Sequence, residues 1–201
     1  FTCGCRRVSL DAVADIIFSF IDNNIRNCKW VDFPIAEYSN KVNDTLDIVS
    51  NQNKLDSSLY TTIKSFLLDD DFTKKFPIGY CHGDLTFSNM IVIEHDLKIA
   101  LIDFLDQEFD SPLHDLVKLR QDTRYYWTLN LYSSHIDETK IKIAWAHIDK
   151  MLLSRFFENN DVTYYYSKIQ VLNFLRILKY TQTEQMDKFV IGCMQEVMGE
   201  K

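Results

Sequence analysis

The stretch Cys81-His82-Gly83-Asp84-Leu85-Thr86-Phe87-Ser88-Asn89, followed by Leu101-Ile102-Asp103-Phe104, decides how the rest of the chain is read. Asp84 stands five residues before Asn89, and a second aspartate, Asp103, lies near the end of the second of two short β-branched, apolar runs, 90–93 and 99–104. The runs are separated by Glu94-His95-Asp96-Leu97-Lys98, which predicts a small β-hairpin with a charged tip. The spacing therefore sets Asp84 in a loop, Asn89 at the loop's end and Asp103 after the next strand.

Each of these residue types has a chemical use. A carboxylate beside a hydroxyl takes its proton and holds the oxygen in line. A neutral amide oxygen and a second carboxylate suit Mg²⁺, which prefers hard oxygen ligands and takes few of them from protein. Such an ion neutralises the charge of a triphosphate. Asp, then Asn, then Asp at this spacing is the arrangement of phosphoryl transfer from ATP. The plain alternative is a polar loop with a capping Asp and Asn, which has no reason to place all three residues so.

Outward from this stretch the pattern is helical. Ser9 reads as the N-cap of a helix carrying Leu10, Val13, Ile17, Phe20 and Ile21 at helical spacing. Pro34 opens a second helix at its first position, with Tyr38, Val42, Leu46 and Val49 on one face. A third starts near Ser57, so the first seventy residues hold almost no strand pattern. A short apolar run, 76–81, precedes the loop, and from Pro112 the helical period returns over about 113–131, 137–158, 163–180 and 184–198. These last helices carry many aromatics, among them Tyr125, Tyr126, Trp127 and Trp145, which the pattern assigns mostly to the core. The expected fold class is α+β and mostly helical, one domain over 1–201, with a small β-hairpin at the site.

Composition bounds the function. The 201 residues include 22 basic and 29 acidic side chains, a net charge of −7, which argues against a nucleic-acid partner. No apolar run reaches the ~20 residues of a membrane span. Only five glycines occur, so a glycine-rich phosphate loop is excluded. The five cysteines lack paired metal spacing, Cys3-x-Cys5 included, and read as reduced thiols of a cytoplasmic protein.

At 81–89 and 101–104 the chain resembles the aminoglycoside phosphotransferase and choline kinase-like family of small-molecule kinases. The likeness is to that family's His-Gly-Asp-x-x-x-x-Asn loop and its Ile-Asp-Phe metal motif. Gly83 stands where protein kinases carry Arg, and Leu105 where they carry the Gly of Asp-Phe-Gly. Both departures point to the small-molecule branch. Phe109–Leu116 looks like the family's following stretch, in which Asp115 caps a helix and braces the loop. The resemblance covers about 76–118. It implies the C-terminal lobe of a protein kinase-like fold, ATP and Mg²⁺ as cofactors, and the hydroxyl of a small molecule (an aminoglycoside, choline, a sugar or similar) as acceptor. It further implies Asp84 as catalytic base, Asn89 and Asp103 as magnesium ligands, Ile102 against the adenine, and His82 as a structural residue. Asp106 reads as an exposed loop acid ahead of the alternative, a further metal or substrate carboxylate.

A complete kinase of this kind also has a β-rich N-terminal lobe with a phosphate-pairing lysine. The 81 residues before His82 read as helical and offer no such strand lysine. The chain is therefore expected to be a C-terminal lobe, from a longer protein or a truncated relative, and a poor kinase alone. Its metal ligands, Asn89 and Asp103, are expected to face solvent. A non-catalytic binding or scaffold module on the same fold is the alternative function. Intact Asp84, Asn89 and Asp103 favour the enzyme.

Overall fold

Ser9 Oγ accepts the Ala12 amide at 3.4 Å and starts α1 (Leu10–Asn27), whose buried face carries Ala14, Ile17, Phe18 and Ile21. The architecture comes from a computed structural model, which describes residues 9–93, 98–106, 109–131, 136–158 and 160–199. Cys3, Cys5 and the hairpin-tip residues 94–97 lie outside the described residues.

After α1 a strand appears that the sequence pattern did not predict: β1 (Lys29–Asp32), four exposed residues paired with β2 (Lys75–Ile78). Nothing in Lys-Trp-Val-Asp alternates between apolar and polar in the way a half-buried strand does. α2 (Ile35–Asn51) begins one residue later than expected, with Pro34 at the N-cap position. Pro34 sits at φ −74°, ψ 68° and turns the Ile35 amide back to the Phe33 carbonyl at 2.7 Å, an inverse γ-turn that precedes the helix. α3 (Ser57–Leu68) starts as predicted, capped by Asp56, whose Oδ1 accepts from the Leu59 amide at 2.8 Å.

β3 (Met90–Ile93) and β4 (Lys98–Leu101) form the predicted antiparallel hairpin, with Met90 opposite Leu101 and Ile93 opposite Lys98. The second strand ends at Leu101, short of the expected Phe104. Asp103 at φ 58° takes the chain out of the ladder there. α4 (Pro112–Thr123) is capped by Ser111, whose Oγ accepts the Leu113 amide at 3.2 Å, with Pro112 in the first helical position. Asp115 therefore lies within the helix's first turn and is not its cap. Instead of running to 131, α4 stops at Thr123; Tyr126 adopts φ 57° and a 3₁₀ turn covers Trp127–Leu131. α5 (Glu138–Leu152) passes into a π-helical turn at Leu153–Phe157. A short helix, α6 (Asn160–Thr163), precedes the expected helix at 163–180, which runs as α7 (Tyr166–Leu178) and is followed by α8 (Glu184–Gly199).

Of the described residues 66% are helical and 9% are in strands, a mostly helical α+β fold. Among the described residues no helix is long and apolar enough to cross a membrane. The chain divides into two compact units. The first comprises the described residues of Phe1–Lys29 and Pro77–Val162, where α1 packs on α4, α5 and β4. The second comprises those of Trp30–Phe76 and Thr163–Lys201, where α2, α3 and α8 pack around α7. Every residue singled out at 81–89 and 101–104 belongs to the first unit.

Candidate active site

The loop is built around His82. Its side chain is fully buried, and its Nε2 lies 2.8 Å from the Ile102 carbonyl, so that nitrogen carries the proton. Nδ1 then accepts the Asp84 amide at 3.3 Å. The His82 carbonyl accepts the Leu105 amide at 3.0 Å, and the ring lies against Phe104 with centroids 4.2 Å apart. Both sides of Asp103 are thereby tied to one residue. Burial pushes the His82 pKa down, opposed by the bond to the Ile102 carbonyl and by the charges of Asp84 and Asp103.

Gly83 occupies φ 79°, a conformation that glycine adopts without a Cβ penalty. The turn presents the His82 and Gly83 amides to Asp115. Asp115 Oδ1 accepts both at 3.0 Å, and its Oδ2 also accepts from His82 at 3.0 Å. Burial pushes the Asp115 carboxyl up to about 7, against the lowering effect of these two amides. At the other end of the loop Asp122 Oδ2 accepts the Phe87 amide at 3.0 Å. Asp122 Oδ1 accepts the Thr128 amide at 3.2 Å and the Thr128 hydroxyl, and burial raises its pKa as well.

Between these two anchors lies Asp84. The Asn89 Nδ2 donates to the Asp84 carbonyl and to Asp84 Oδ2, both at 2.9 Å. Lys118 Nζ lies 3.0 Å from Asp84 Oδ1, with the two side chains 17% and 27% exposed. The Asn89 carbonyl accepts the Ile102 amide at 3.1 Å, which brings Asn89 next to the segment carrying Asp103. The backbone thus puts Asp84 and Asn89 in contact and sets Asp103 one residue beyond the amide that the Asn89 carbonyl accepts. Asp103 and Ile102 are exposed, but Asn89 is buried. The expectation that both metal ligands face solvent therefore fails for Asn89, whose amide nitrogen is spent on Asp84.

The donor set fits a hard cation. With Nδ2 committed, Asn89 retains Oδ1, an amide oxygen, and Asp103 adds an exposed carboxylate. Among the described residues no cluster of three or more His, Cys, Asp or Glu could hold a metal. An ion that keeps several waters and shares its shell with phosphate asks for no more protein oxygens than these two. Asp106 is exposed, as expected. Cys81 is buried, and its thiol is pushed up to about 12, chiefly by burial, with Asp115 and Asp110 nearby, so it is no nucleophile at neutral pH.

Two further residues of this site, Lys118 and Asp122, are not marked by the motif. Their signal is their spacing from Asp115. Positions 115, 118 and 122 fall on one helical face, and all three side chains reach the loop. Beside them, Phe87 stacks on Trp145 at 5.4 Å and 8°, and Tyr126 on the same Trp145 at 6.2 Å and 8°. No protein-family model matches this chain, and no curated protein or solved structure matches it.

Proposed function

We propose that the protein is an ATP- and Mg²⁺-dependent phosphotransferase that moves the γ-phosphate to a hydroxyl of a small molecule. Its fold on this reading is the C-terminal lobe of a protein kinase-like fold. The observation that carries the reading is the Asp84–Asn89 pair on a loop braced at both ends, with the Ile102 amide, one residue before Asp103, bonded to the Asn89 carbonyl. Asn89 Oδ1 and the Asp103 carboxylate would hold Mg²⁺, which when bound neutralises phosphate charge. Asp84 sits with one oxygen on Asn89 and orients the acceptor hydroxyl, whose proton it receives. Asp115 and Asp122 hold the two ends of the loop, so that Asp84 keeps its position without a conformational search. Ile102, exposed at the start of the metal segment, offers an apolar surface to adenine. A cytoplasmic setting, where ATP and reduced thiols coexist, fits Cys28, Cys81 and Cys193, which carry no disulfide. A scaffold module would have no use for so fully braced a carboxylate.

The test is phosphoryl transfer by the full-length protein from Mg·ATP to a panel of aminoglycosides, choline and sugars. Asp84→Asn is expected to cut transfer by about 10²- to 10⁴-fold while leaving the fold intact. Asn89→Ala and Asp103→Ala are expected to raise the Mg²⁺ concentration required, Asp103→Ala more, because it removes ligand charge. Normal turnover in Asp84→Asn would remove Asp84 from this role.

A further inference from the structure

Lys118 is the residue of α4 that stands out by its surroundings. Every other residue of the helix is buried, while Lys118 is half-buried with its ammonium 3.0 Å from Asp84 Oδ1. An apolar side chain would bury at this position with no desolvation cost, whereas the Lys118 ammonium faces the Asp84 carboxylate and its charge also favours the ionised form of the buried Asp122. The two carboxylates that α4 itself brings to the loop are engaged by hydrogen bonds. Asp115 accepts two amides, and Asp122 accepts the Phe87 amide and both polar groups of Thr128. Asp84 Oδ2 holds Asn89, which leaves Oδ1 and the Lys118 ammonium facing each other. An acceptor oxygen that gives its proton to Asp84 must come within about 3 Å of that carboxylate. The phosphorus binds that same oxygen, so an ammonium against the carboxylate lies within reach of the phosphoryl oxygens.

We propose that Lys118 is a catalytic residue that contacts the γ-phosphate during transfer, an inference that rests on the phosphotransferase reading above. In the step, the acceptor oxygen forms its bond to the γ-phosphorus as the bond from that phosphorus to the β,γ-bridging oxygen breaks. The electron pair of the broken bond leaves with ADP, and the hydroxyl proton goes to Asp84. Lys118 keeps its three protons and donates one hydrogen bond to a γ-phosphate oxygen. It thereby supplies, from α4, a positive charge that phosphoryl transfer needs beside its metal.

The experiment compares Kd for Mg·ATPγS and Mg·ADP by calorimetry on the full-length protein, wild type against Lys118→Met, Lys118→Gln and Lys118→Arg. A lysine on the γ-phosphate predicts that Lys118→Met and Lys118→Gln lose about tenfold in affinity for the triphosphate and keep their affinity for ADP. Lys118→Arg is expected to retain most of the preference, since it keeps the charge. Reading the ratio in two neutral variants guards against a folding defect in one. Equal loss for both nucleotides, or no loss for either, in a wild type that binds both would overturn the role of Lys118 and leave the phosphotransferase reading standing. Wild type that binds neither nucleotide would overturn both.

Discussion

Asp103 holds a left-handed backbone, φ 58°, that costs about 1 kcal/mol or more for a side chain with a Cβ. His82 supports it from both sides, through the Ile102 carbonyl and the Leu105 amide. Strain that persists because its neighbours fix it is a feature of working sites. Aspartate and asparagine tolerate this conformation better than alanine, since their short polar side chains bond locally. Asp103→Asn is therefore expected to unfold at the wild-type denaturant concentration, while Asp103→Ala is about 1 kcal/mol less stable. On the proposed phosphotransferase reading, both variants also weaken Mg²⁺-dependent nucleotide binding, because both remove the carboxylate. Equal stability of the two variants would mean that the backbone at 103 is unstrained.

At the scale of elements, α4 organises the site. Asp115 takes the start of the loop, Lys118 the carboxylate and Asp122 the end, each from one helical face. The opposite side of the helix is tied to α5: Arg120 Nε donates to Asp149 Oδ1 at 3.1 Å, Thr123 donates to the same oxygen at 2.8 Å, and all three side chains are buried. Asp149→Ala leaves Arg120 charged and buried without that carboxylate. The expected cost is about 3–5 kcal/mol in chemical unfolding, and Arg120→Met with Asp149→Ala should recover most of it. A cost below about 1 kcal/mol would mean that water reaches the pair. Much of this was legible beforehand. The spacing of Asp84, Asn89 and Asp103 is local, and so are the hairpin and the apolar faces of α1, α2 and α3. Lys118 and Asp122 were not, because their meaning lies in a loop some thirty residues earlier. The stop of α4 was missed for the same reason: no Gly or Pro marks it, and Asp122 draws the Thr128 amide back across the turn. β1 escaped notice because its four side chains are all exposed and leave no alternation.

For the molecule as a whole, stability against pH sums the groups that folding perturbs. Two shifts of opposite sign meet at the loop. His82 is held below its ordinary pKa by burial, so its contribution is present above about pH 6.5 and is lost as pH falls. Asp115 is the reverse. Its carboxyl is pushed up to about 7, well above the ~3.9 of an unfolded chain. Below that lower value both states carry the proton and the group costs nothing. Between about 4 and 7 the unfolded chain releases the proton while the folded one keeps it, and stability falls as pH rises. Above 7 both states are ionised and the loss is complete. The slope in the window approaches about 1.4 kcal/mol per pH unit for a single proton. Asp115→Asn keeps an acceptor oxygen for the His82 and Gly83 amides and has no proton to exchange. Urea unfolding of wild type and Asp115→Asn at pH 4.5, 6 and 7.5 reads this group and the neighbours coupled to it, Asp84 and Asp110 among them, because titrations elsewhere in the chain cancel in the difference. The wild type is expected to lose ground to the variant steadily from pH 4.5 to 7.5. A difference that stays flat over that range would mean that Asp115 is ionised throughout, held as a carboxylate by the two amides it accepts.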